Sequence, residues 1–345
     1  FKPDSFLGKA MKNGSPAAAL LSKAVNQNYL FTSSINTKGI DLKSLLGEAK
    51  MQLAKVSKDA KESQMGWMLD MFKDMIPVYE NVTGITQVMY LAAQPQMGAP
   101  LFNVVSIVES SDATGFRTGI KKTMATMNSV KMSVPADPGM DGAGEGISYT
   151  TSYTDNALQI EGVNVDQFAW QMQMPPAAME NNPALPFMMM LGAMGQTGYV
   201  ASREFIVSTT TTDTAILGSS LKMLGSSDGL GSEKLIAEAR RNALPENAMM
   251  EGYFNLAGLA TLANSFIPMM GMPPIQTPAD LPPVAMGVSL KDSAVLAQLH
   301  VPMAVMTFVR DTTMQMQGGM GGPQAQPEGG NAPRRRQGPG NAPPY

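Results

Sequence analysis

No covalent bridge can hold this chain together. Its 345 residues include no cysteine, so any fold must rest on buried apolar surface and on hydrogen bonds. Hydrophobic residues at 44% supply a sizeable core, and the length suits about two units of ~150 residues. The same absence removes whole chemistries. Thiol nucleophiles, zinc–thiolate sites and iron–sulfur clusters need cysteine, and a multi-histidine metal site needs more than the one histidine present, His300. A histidine-activated serine would depend on that residue too. His300 lies in the strand-like run 296–301, where an imidazole reads as a structural side chain rather than a base. Charged residues make up 15% and the net charge is −3. That share is below the ~25% of ordinary domains, and its sign argues against a nucleic-acid-binding surface.

Hydrophobic periodicity divides the chain into helices and strands. Leu42, Leu45, Leu46, Ala49, Leu53, Val56 and Ala60 keep the spacing of one buried helical stripe, with Asp41 as N-cap. A second stripe, Met65, Met68, Leu69, Phe72, Met75 and Ile76, predicts that helix runs over 41–76, broken near Gly66 and ended by Pro77. Further helices are expected at 113–127 (capped by Ser110-Ser111-Asp112), 214–224, 232–243, 257–266 and 303–316. Runs rich in β-branched residues predict a hairpin from 84–93 and 101–109. A second hairpin, 147–154 with 157–163, is expected to turn at Asp155-Asn156. Single strands are expected at 198–208, 249–256, 284–290 and 294–301. The fold class that follows is α+β, with largely antiparallel sheets and covering helices.

Two comparisons point to internal duplication. Segments 104–112 and 204–213 each run from strand through a polar cap into a helix, one carrying Lys122 and Met124, the other Lys222 and Met223. Segment 29–36 leading to Asp41-Leu42 parallels 252–256 leading to 257–259. The expected organisation is a first α+β half at 1–165 and a second at 166–317, the latter carrying a Met/Pro-rich insertion at 171–194. Residues 318–345 are mostly Gly, Pro, Gln, Asn and Ala, with Arg334-Arg335-Arg336 as the one charge run. Such a composition cannot bury enough surface to offset its ordering entropy, so a disordered tail is expected.

No catalytic, cofactor-binding or metal residue is assigned. Neither a Gly-x-Ser-x-Gly elbow nor a phosphate loop ending in Gly-Lys-Ser/Thr occurs. The Gly-rich run 225–231 reads as an interhelical loop, and the acids at 137, 141 and 145 lack EF-hand spacing. Methionine, at 31 residues, is the compositional outlier. Met172 with Met174, Met269 with Met270 and Met272, and Met314 with Met316 and Met320 form short clusters of a kind that binds Cu(I). Most methionines, among them 65, 68, 71 and 75, fall in apolar stripes and read as core filler.

The segment 243–248 leading into 251–259, supported by 284–302 and 104–122, resembles a family of uncharacterised bacterial envelope proteins, a domain of unknown function. The resemblance implies duplicated α+β halves and an N-terminal export signal, and carries no catalytic residues. No apolar run reaches the ~18–20 residues of a membrane span. The cysteine-free, charge-poor composition reads as extracytoplasmic, in the periplasm or at the cell surface. The opening Phe1 reads as a processed form or a fragment, so any signal peptide or lipid-attachment cysteine would lie upstream. The expected role is a non-enzymatic structural or protein-interaction module of the envelope, with other envelope proteins or further copies of itself as partners. The alternative is a carrier of lipid or another apolar ligand.

Overall fold

Alternating burial builds the sheet. In β1 (Tyr29–Asn36), Leu30, Thr32, Ser34 and Asn36 are buried, and in β2 (Val82–Leu91) every second residue from Val82 to Tyr90 is buried. That is the period of a strand whose two faces meet different surroundings. The computed structural model describes residues 5, 8, 15–60, 66–92, 100–128, 131–132, 147–174, 194–211, 213–292 and 294–320. Within them the strands continue with β3 (Phe102–Ser110), β4 (Lys131–Met132), β5 (Ile147–Ile160), β6 (Val163–Gln173) and β7 (Gly195–Ser202). They end with β8 (Ile206–Thr210), β9 (Met250–Phe254), β10 (Val284–Lys291) and β11 (Ala294–His300). All eleven form one sheet in the order β11-β10-β9-β1-β2-β3-β8-β7-β6-β5-β4, and all neighbours are antiparallel. The α+β architecture expected from the sequence is the one observed.

Eight α-helices are described: α1 (Ala18–Leu21), α2 (Leu42–Ala60), α3 (Gly66–Tyr79), α4 (Ala113–Asn128), α5 (Thr214–Met223), α6 (Lys234–Ala243), α7 (Leu256–Asn264) and α8 (Met303–Met320). Aspartates begin three of them. Asp41 accepts from the Ser44 amide at 3.1 Å, Asp112 from Gly115 at 2.7 Å and Asp213 from Ala215 at 2.8 Å, each satisfying a donor the first turn leaves open. Helices pack on both faces. Leu21 of α1, Leu217 and Leu221 of α5 and Ile236 of α6 join Val88, Val105, Ile107 and Val207 in the larger core. On the opposite face Val78 of α3 and Phe116 of α4 cover Val108, Phe168, Val200 and Ile206. Gly119 lets α3 and α4 approach, since a Cβ there would run into the Val78 side chain.

Several elements differ from expectation for identifiable reasons. The turn expected at Asp155-Asn156 is a bulge within β5: the register shifts between Thr154 and Leu158, and Asn156 takes φ 50°. The chain reverses instead at Glu161 and Gly162, both left-handed at φ 52° and 73°, as a two-residue hairpin turn requires. The single strand expected at 198–208 is the β7–β8 hairpin, joined at 203–205. Pro77 lies inside α3 rather than ending it, because a proline in the last turn removes one amide without preventing the two residues that follow from staying helical. Helix α8 runs to Met320, so the tail composition at 318–320 still belongs to a helix.

The paired segments 104–112 and 204–213 form β3 and β8, which are hydrogen-bonded neighbours, and the helices that follow them cover opposite faces. β1 and β9, the other matched pair, are also neighbours. The 165/166 division falls within β6. Residues 171–174 finish β6 and its exit, whereas 175–193, the Gly- and Pro-rich stretch 135–146, whose sequence reads as a loop, and the tail beyond 320 lie outside the described residues.

Candidate functional site

Two buried carboxylates are the strongest internal polar features. Asp166 on β6 is 1% exposed and takes four donors. Arg117 of α4 donates through Nε to Oδ2 at 2.6 Å and through Nη2 to Oδ1. The Tyr153 hydroxyl donates to Oδ2 at 2.6 Å, and the Asn156 amide to Oδ1 at 2.9 Å. Burial opposes ionisation of Asp166, but the guanidinium, amide and phenol outweigh it and hold the carboxyl below its usual range. Burial and the adjacent carboxylate push the Tyr153 phenol up.

The second cluster lies on the other face. Glu251 on β9 is 1% exposed. Arg240 of α6 donates through Nε to Oε2 at 2.7 Å and through Nη2 to Oε1 at 3.0 Å, and the Tyr253 hydroxyl donates to Oε2 at 2.9 Å. Arg240 Nη1 also donates to the Gly231 carbonyl at 2.9 Å. Burial, then the Glu251 charge, raises the Tyr253 phenol. In both clusters the acid is saturated by a fixed bidentate guanidinium, an arrangement that holds elements together. Among the described residues no group of three His, Asp or Glu side chains is placed to hold a metal.

The Gly-rich run 225–231 is also a packing device. The Gly229 amide donates to the Ser22 carbonyl at 3.0 Å and the Leu230 amide to the Ala24 carbonyl at 2.8 Å. A Cβ at Gly229 or Gly231 would collide with that backbone. A groove of about 470 Å³ opens among Thr150, Thr151, Trp170, Gln171, Gln196 and Thr210. An apolar recess beside Ile267, Met272 and Met316 encloses only about 20 Å³.

The surface changes character at the β11 end of the sheet. All seven residues of β11 are exposed, on both faces. Nine of the thirteen large exposed apolar side chains among the described residues fall between Val295 and Met316, so the apolar surface is concentrated rather than scattered. Leu299 is 68% exposed and Met303 is 71% exposed. Between Met303 and Met316, Val305 is the one buried residue of α8. His300, the sole imidazole, is exposed at the end of β11.

Among the described residues, methionine sits shallower than core filler. Met249 is the one methionine among the described core side chains. Met75, Met89, Met124, Met172 and Met286 are half-buried, and Met303, Met306, Met314 and Met316 are exposed. The described methionines therefore lie mostly at core margins and on the surface, where an unbranched, polarisable side chain adapts to changing neighbours. In the core itself, branched and aromatic residues fill the space better defined by sheet and helix (Val88, Ile107 and Leu217 among them). The two clusters were not singled out from the sequence. Glu251, flanked by apolar residues in a strand run, carries a signal; Arg117 and Asp166, 49 residues apart, carry none. The signal for the exposed edge is the uncharged run 294–300.

Among the described residues no helix is long and apolar enough to cross a membrane. Comparison of the chain with models of protein families, with curated proteins and with solved structures finds no match.

Proposed function

We propose that this chain is a non-enzymatic protein-interaction module that works outside the cytoplasm, as in the bacterial envelope family it resembles, and that its contact surface is the β11–α8 end of the sheet. The observation that carries the reading is the concentration of exposed apolar side chains there, nine of thirteen between Val295 and Met316. Soluble proteins rarely leave such a patch bare unless another surface meets it. The methionines on α8 suit adaptable contact. The cysteine-free, charge-poor composition supports an extracytoplasmic setting. A carrier of apolar ligands has less support, because the groove in which Ala169, Trp170 and Met194 join Thr, Ser and Gln side chains is wide open to solvent, whereas such sites bury most of their ligand.

The test is a photo-crosslinking amino acid placed at Leu299, and in a control chain at Leu158, which is exposed on β5 far from this end. Irradiation in the native cell is expected to yield a discrete adduct from position 299 and none from 158. Absence of any adduct at 299 would overturn the reading.

A further inference from the structure

The two ends of the sheet are treated differently. At one end β4 is only two residues long, and α4 shields β5 beside it: Asn128 accepts from the Thr151 amide at 3.3 Å, and the Thr151 hydroxyl donates to the Met124 carbonyl at 2.7 Å. The Asn156 bulge bends the same strand further along. Short strands, a covering helix and a bulge are the devices that keep a sheet edge from pairing with another chain. Among the described residues the β11 end has neither a short strand nor a bulge. Its seven residues pair in unbroken register with β10, from Ala294 opposite Lys291 to His300 opposite Ala285, and no described strand pairs with the other side.

We propose that β11 is the seam of a twofold homodimer, in which β11 of one copy pairs antiparallel with β11 of a second copy and joins two eleven-stranded sheets. The inference rests on reading the β11–α8 end as a contact surface, and adds who occupies it. The unused amides and carbonyls of an edge call for another strand. The strand Ala-Val-Leu-Ala-Gln-Leu-His carries no lysine, arginine, aspartate or glutamate, so two copies meet without repulsion. A twofold axis through Ala297 uses all seven residues and sets Val295 opposite Leu299 of the second copy, twice, with Ala297 opposite itself. Val295, Ala297 and Leu299 share one face, that of Met286, Val288 and Leu290 on β10, so the apolar stripe runs on across the seam. Area argues for the helix taking part. Seven residues at ~3.4 Å each make an edge about 24 Å long, on the order of 400 Å² per copy. A stable interface needs about 800 Å² per partner. Val301, Met303 and Met306, exposed just beyond the strand, supply further apolar area at its rim.

The chain's lack of cysteine permits a register-specific test. Directly opposed residues in an antiparallel pair have Cα atoms about 4.5–5.5 Å apart, within the span of a disulfide. In the full chain, Ala297→Cys is expected to oxidise to a covalent dimer. Ala294→Cys, which lies opposite His300 rather than itself, is expected to stay monomeric on denaturing gels. Sedimentation of the unmodified chain at micromolar concentration should show twice the chain mass, and Leu296→Lys with Leu299→Lys should return it to monomer with unchanged circular dichroism. A monomer at all concentrations, or equal crosslinking at 294 and 297, overturns the dimer. If the photo-crosslinker at Leu299 then captures a different protein, the contact surface stands and the second copy falls; if it captures nothing, both fall.

Discussion

The Asp166 and Glu251 clusters solve one problem on opposite faces of the sheet with unequal thoroughness. Each buries a carboxylate 1% exposed and gives it an arginine from a helix and a tyrosine from the sheet. Asp166 has in addition the backbone amide of Asn156, which makes its shell independent of any one side chain. Glu251 relies on Arg240 for two of its three donors, and Arg240 also holds the Gly231 carbonyl. The Asp166 cluster therefore fixes a bulge and a helix through shared bonds, whereas the Glu251 cluster hangs α6 and its preceding loop on one guanidinium. The lesson is that equal burial does not mean equal dependence on the counter-ion.

Removing each arginine tests that difference. Arg240→Met should be the most damaging change, costing about 4 kcal/mol in urea denaturation, because it leaves a buried carboxylate with a single donor. Arg117→Met should cost less, about 3 kcal/mol, since Tyr153 and Asn156 remain on Asp166. A reversed order would break the comparison.

Acid sharpens it. The Asp166 carboxyl is held below its ordinary value, so the stability it contributes is fully present above about pH 4, the unfolded aspartate value. That stability is lost as pH falls through the lower folded value. Asp166→Asn should flatten that acid limb of a stability-versus-pH curve while leaving the neutral slope alone; an unchanged limb would show that the cluster does not titrate with folding.

The smallest effect belongs to the bulge. Asn156→Ala should cost about 1 kcal/mol, because alanine at φ 50° meets a steric penalty that asparagine tolerates better. Asn156→Gly should cost little, as the amide that reaches Asp166 is kept. Equal losses in the two variants would place the energy in the asparagine side chain instead.

Much of the fold was legible because it depends on neighbours in sequence. The helix beginning at Leu42 and the caps Asp41, Asp112 and Asp213 stand where the periodicity puts them, although the stripe expected to be buried has Leu42, Leu45 and Leu46 half-buried and Ala49 exposed. The misplaced reversal at 155–156 shows the limit. Asp155-Asn156 and Glu161-Gly162 are both compatible with a turn. What decides between them is Asp166, folded back from the next strand onto the Asn156 amide. Sheet order is illegible for the same reason, since β8 enters between β3 and β7 through pairings with β3 about a hundred residues apart. The exposed edge was written in the uncharged run 294–300, but the same run suits a buried central strand, and only the order of the sheet places it outermost. For the described methionines, such as half-buried Met75, apolar periodicity reports which side of a helix faces inward, not how deep that side lies.

The unequal ends of the sheet also set where assembly stops. Joining two copies through β11 consumes the only described long bare edge on each, and the ends then left outermost are the two-residue β4 strands with α4 beside them. Among the described residues such a pair offers no second long edge to a third copy. The same exposed strand that in a chain with two open edges would propagate a fibre would, in the proposed dimer, give a closed particle of defined size.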